Sequence, residues 1–159
     1  MIAQMKVLLR VKDLKLEQAE RAMQAKRAQR DAARLEREEA AETVAESTRT
    51  YVAREDAIYD DIMGQEIGQD VVDETRGRVV QLEKAHVALK DELDRAQHVE
   101  ARLEQELLAA TAAFFAAQRA RDKFTIITDD LKQAANALVE GREEVEVEDL
   151  FARPRKRAG

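Results

Sequence analysis

An all-α fold, a long antiparallel two-helix coiled-coil hairpin, is what this sequence predicts, and three observations predict it. The only proline is Pro154, near the end of the chain, so no proline interrupts a helix before it. Apolar residues recur at three- and four-residue steps over two long stretches. Between them lies Met63-Gly64-Gln65-Glu66-Ile67-Gly68, whose two glycines are the strongest internal break. Composition agrees: 38% of residues are charged and 4% aromatic, the profile of a long helix rich in Ala, Glu, Lys, Leu and Arg. Much of the 45% hydrophobic content is alanine, so a long seam rather than a thick core must hold the fold.

The first helix is expected over about residues 2–63. Its apolar stripe reads Leu9, Leu16, Ala19, Met23, Ala33, Ala40, Val44, Tyr51, Ile58 and Ile62. Lys26, Arg30 and Arg37 fall on the same stripe, which predicts a loose helix pair between Lys26 and Arg37. A turn follows at 64–69. The second helix is expected over about 70–140, on a cleaner heptad from Val72 through Leu82, Leu93, Leu103 and Phe114 to Leu138. Gly77 weakens that helix by about 1 kcal/mol relative to Ala, and Gly141 suits a helix C-cap. About 70 residues of helix make a rod roughly 100 Å long. Folding back places Leu9 near Phe124, so the last turns of the second helix project beyond the first. Residues 1–141 thus form the hairpin. Residues 142–159, acidic and then basic around Pro154, are expected to be a flexible tail. That tail is either solubilising or a short docking motif centred on Val147, Leu150 and Phe151.

Charge is uneven. Lys6 to Arg37 holds ten basic and five acidic residues, a balance of +5; Glu38 to Glu66 holds nine acids and two arginines, a balance of −7. Antiparallel folding adds Arg119, Arg121 and Lys123 to the basic end. Two ends of opposite sign suit a rod that meets a different partner at each. The net charge of −6 argues against general nucleic-acid binding. No stretch approaches the ~20 apolar residues of a membrane span. Lys6 and Arg10 interrupt the N-terminal apolar stretch, so it is not read as a signal peptide. A cytoplasmic protein without direct membrane insertion is expected, and the absence of Cys fits a reducing compartment.

The residue types of an active site are sparse. His86 and His98 lie too far apart for a metal pair on one helix face, and both read as seam or boundary residues. Ser47 is the only serine. Gly64 and Gly68 lack the flanking residues of a phosphate loop. A two-helix rod has no dry pocket in which to tune a carboxylate pair. No catalytic residue, cofactor or metal is expected. Two aromatic stretches rise above a generic coiled coil: Tyr51 to Met63, with both tyrosines, and Phe114-Phe115 leading to Arg119-Ala120-Arg121-Asp122-Lys123-Phe124. Their rings either fill the seam where alanines leave space or anchor a partner. Phe114 and Phe115 are adjacent, so they cannot share one face.

Several of these segments together carry a resemblance. Lys6-Val7-Leu8-Leu9-Arg10-Val11-Lys12 continuing to Ala19-Glu20-Arg21-Ala22, the stretch Tyr51 to Met63, and Arg121-Asp122-Lys123-Phe124 resemble the YscO/HrpO family of type III secretion proteins. That family is the injectisome counterpart of flagellar FliJ. The resemblance implies a non-catalytic central stalk similar in shape to the coiled coil of the rotary ATP synthase gamma subunit. Such a stalk binds the hexameric export ATPase and links it to the export gate protein and substrate chaperones. It would be monomeric alone, at the cytoplasmic side of the inner-membrane secretion apparatus. On this sequence the implied ATPase contacts are Arg119, Arg121, Lys123 and Phe124, and the implied gate or chaperone contacts are Tyr51, Arg54 and Tyr59. The competing readings are a self-associating structural scaffold, favoured by the apolar stripe near Tyr51 to Met63, and a secreted helical protein of the same system.

Overall fold

A computed structural model describes residues 1–152. It holds two helices, α1 (Ile2–Asp60) and α2 (Gln69–Ala152), packed against each other as an all-α hairpin, with no strand among the described residues. Two compact units divide the chain. The first joins the start of α1, Met1–Met23, to α2 from Ala110 onward; the second is Gln24–Ala109 and includes the turn. Among the described residues no helix is long and apolar enough to cross a membrane.

The turn begins sooner than the apolar pattern suggests. Ile62 and Met63 donate their N–H groups to the carbonyls of Tyr59 and Asp60, at 3.1 and 3.2 Å. These three-residue bonds tighten the helix end and satisfy carbonyls left without a helical partner. Gly64 then takes a φ of 76°, the left-handed conformation that ends helices and that only glycine adopts without strain. Asp70 sits in the first turn of α2, where its charge favours the helix dipole.

Within each unit, side chains removed from water recur in alternating three- and four-residue steps. In the first unit these are Ile2, Met5, Leu9, Lys12, Leu16, Ala19 and Met23 on α1, facing Phe114, Ala117, Arg121, Phe124, Thr128 and Leu131 on α2. In the second, Ala33, Ser47 and Ile58 are buried on α1, and Thr75 and Leu103 on α2. Small residues such as Ala33 allow close approach where long cations flank the seam. Thr75 and Thr128 are tolerated there because each hydroxyl donates to a carbonyl four residues back, Val71 and Phe124, at 2.8 and 2.7 Å.

Two expectations require correction. The segment from Lys26 to Arg37 is not loose, because α2 supplies the matching acids. Lys26 reaches Glu106 at 2.9 Å, Arg30 reaches Glu104 at 3.4 Å, and Arg37 reaches Glu100 at 2.7 Å. Nor does Gly141 cap α2: the helix continues through it to Ala152. The run Glu143 to Phe151 is helical, with strong helix formers outweighing one glycine. The basic end of the expected tail, Arg153 to Arg157, lies outside the described residues.

Candidate partner-binding surfaces

Two groups of residues are the partner-binding candidates, one in each unit. In the first unit, α2 carries Arg119, Arg121, Lys123 and Phe124. Helical spacing divides them. Arg121 and Phe124 turn toward α1, whereas Arg119 and Lys123 are exposed. Arg121 lies 3.9 Å from Asp13 of α1 and also pairs with its neighbour Asp122 at 3.0 Å. The ammonium of Lys12 stands 5.1 Å from the centre of the Phe124 ring, a cation–π contact that helps fix the two helices. Phe114 packs in the seam; Phe115, 49% exposed, leans against it with ring centres 5.5 Å apart. The four residues therefore do not form one surface. Arg119 and Lys123 are exposed to solvent, while Arg121 and Phe124 pack toward α1.

In the second unit, Tyr51, Arg54 and Tyr59 also separate. Tyr51 is half-buried beside His86, with ring centres 5.1 Å apart. Burial, followed by the nearby charges of Glu55 and Glu83, raises the pKa of its phenol. Ser47 Oγ lies 2.7 Å from Nδ1 of His86. Arg54 donates to the same Oγ at 3.0 Å and to the Ser47 carbonyl at 3.3 Å. The hydroxyl proton is then free to be donated to the imidazole, so a buried serine, a histidine and an arginine satisfy one another. Tyr59 is 44% exposed. Sequence periodicity could not find Ser47 because it scores apolar residues; the only available signal was its seven-residue spacing from Ala40. His98, expected near the seam, is exposed and bonded to the Asp94 carbonyl at 2.7 Å.

Charge in this unit is arranged as a ladder. The hydrogen bond from Arg37, reinforced by the charges of Arg37, Arg34 and Arg30, lowers the Glu100 pKa. The bond from Lys26 does the same for Glu106. The arginines respond in the opposite sense: bonds to Asp31 and Glu104 raise the Arg30 pKa, and the bond to Glu100 raises that of Arg37. In this unit the charges of Lys26, Arg30, Arg34 and Arg37 are thus met by carboxylates of α2, whereas Lys6, Arg10 and Lys15 in the first unit remain exposed.

Two long helices joined by interhelical ion pairs and a cation–π contact define a coiled-coil protein. Sequence comparison gives the family. Residues 5–153 match the family described as type III secretion protein YscO, and the chain belongs to that family. It is thus a component of a type III secretion system. No curated protein and no solved structure matched the chain.

Proposed function

We propose that this chain is the non-catalytic central stalk of its secretion system. It binds the hexameric export ATPase and couples it to the export gate and to substrate chaperones. Family membership gives the system; the observation that carries the stalk reading is the heptad seam between two antiparallel helices within each unit, crossed in the second by ion pairs. A stalk in a ring needs axial stiffness and a polar surface that makes weak, changeable contacts. Of the four candidates on α2, Arg119 and Lys123 present charge outward to the ATPase, with Arg121 and Phe124 holding the helices beneath them. Arg54 and Tyr59 are the exposed members of the gate or chaperone group, and Tyr51 is half-buried against His86.

The test is to mix the chain with the secretion ATPase of the same system and follow binding and ATP hydrolysis together, at low and high salt. Stimulated hydrolysis that weakens with salt is the expected result. Charge reversal at Arg119 and Lys123 should abolish it while leaving helicity unchanged. Intact binding in that variant would remove these residues from the ATPase contact. The scaffold reading rests on exposed Val52, Met63 and Ile67 near the turn. An obligate oligomer that ignores the ATPase would favour it.

A further inference from the structure

The end of α2 has no helix beside it. Ala135 is the last residue of the first unit's seam on α2 that is even partly removed from water, and every residue from Asn136 to Ala152 is exposed. The heptad nevertheless continues, with Leu138 66% and Val145 56% exposed seven residues apart. Gly141 lies between them, and no atom would come within 4 Å of a Cβ built there, so the helix has a shallow notch flanked by Leu138 and Val145. Around this stripe stand Glu140, Glu143, Glu144, Glu146, Glu148 and Asp149, against Arg142 alone. Among the described residues none of these carboxylates has a cation within ion-pair distance. A single helix of this length is marginal in water, and Val145, Val147 and Gly141 lower its propensity further.

The same unit carries the complementary surface. On α1, opposite the seam, Val7, Val11 and Leu14 form an exposed apolar stripe, 63%, 40% and 52% accessible. Lys6, Arg10 and Lys15 flank it and are exposed. Val7 and Leu14 repeat the seven-residue spacing of Leu138 and Val145, so the two stripes can stay in step along parallel helices. The two surfaces cannot meet within one chain, because the α2 end runs away from the start of α1.

We propose that two copies of this chain associate reciprocally: residues 136–152 of each copy lie along the Val7–Val11–Leu14 face of the other. Leu138 and Val145 pack on Val7 and Leu14, and the carboxylates meet Lys6, Arg10 and Lys15. The arrangement is isologous, so it closes at a dimer. Pairing of residues 136–152 with the same stretch of the other copy is disfavoured, since that stretch carries a net charge of −5 in each. The contact is small and charged, so the dimer is reversible and weakens with salt. This inference does not use the stalk reading.

Sedimentation velocity on the full chain tests it. A concentration-dependent dimer at low salt and a monomer at high salt are expected. One triple variant, Glu143→Lys, Glu144→Lys and Glu146→Lys, and a second, Lys6→Glu, Arg10→Glu and Lys15→Glu, should each weaken association at least roughly tenfold. Circular dichroism checks that both remain helical. An equimolar mixture of the two variants should recover a heterodimer, because each reversed surface then faces an opposite charge. A chain that is monomeric at every concentration overturns the proposal. So does a dimer that survives both variants, or a mixture that stays monomeric. Binding to phosphatidylglycerol vesicles that the second variant abolishes, without self-association, would assign the basic face to lipid and also overturn it.

Discussion

Glu100 and Glu146 are both glutamates on α2, yet they occupy opposite situations. In the second unit, the Glu100 side chain is 16% exposed and held by Arg37 at 2.7 Å. In the first, Glu146 stands on a bare helix face among like charges. The difference lies in what α1 provides alongside. Where α1 runs beside α2, cations such as Lys26, Arg30 and Arg37 occupy seam positions, and acids of α2 rise to meet them. Where α1 is absent, the heptad and the acids continue without partners. A coiled-coil sequence can thus specify more helix than its own chain can cover, and the uncovered part is where association is to be sought.

Variants can sharpen that contrast. The largest effect is expected at Leu103, 7% exposed in the second unit. Leu103→Ala should cost about 2–4 kcal/mol, read by urea denaturation, through lost burial and the cavity left behind. Loss of about 1 kcal/mol is expected for Ser47→Ala, because Arg54 and His86 then lose a shared partner. Replacing both ends of the polar contact, Ser47→Ala with His86→Leu, should recover most of that loss. A double variant as weak as the single one would show that the serine acts by packing alone. Gly77→Ala should stabilise by about 0.5–1 kcal/mol, since the site is helical, no atom lies near the new methyl group, and alanine narrows the unfolded ensemble.

Acid is a subtler probe of the ladder. The folded pKa values of Glu100 and Glu106 lie below their unfolded ones. Their contribution is therefore complete above the unfolded value, near about 4.3, and is lost as the pH falls through the lower folded value. Melting temperature should fall below about pH 4, and Glu100→Gln should shrink that fall while lowering the melting temperature at neutral pH. The smallest effect belongs to Leu138. It occupies the same kind of heptad position as Leu103, yet Leu138→Ala should change monomer stability by less than about 0.5 kcal/mol. A larger loss in the monomer would mean that the α2 end is covered after all.

The helices, the break at Gly64 and the apolar seam were legible in the sequence, because a long 3.5-residue periodicity is written in the spacing of apolar residues. Leu9, Met23, Leu103 and Phe114 all lie where the spacing puts them. The polar seam positions were not legible. Ser47, Thr75, Glu100 and Thr128 carry no apolar signal, and their burial depends on a hydroxyl bonding its own helix or on an acid meeting a cation brought by folding. The end of α2 was misread because Gly141 followed by acids reads as a stop, although nothing packs there to exploit one. Among the partner-binding candidates, spacing on a helix separated the outward Arg119, Lys123 and Tyr59 from the inward Arg121, Phe124 and Tyr51. Reading the aromatic and basic residues as clusters hid that division.

The contact between Ser47 and His86 has a consequence for how the helices could slide. If α1 of the second unit advanced along α2 by one heptad, Arg30 would take the place of Arg37 beside Glu100, and Arg27 that of Arg34. Lys26, however, would take the place of the buried Ala33, and Met23 that of Arg30 beside Glu104. Ala40 would take the place of Ser47, and His86 Nδ1 would face a methyl group. The small side chain of Ala33 and the hydroxyl of Ser47 together tell the native registry from a slip of one heptad.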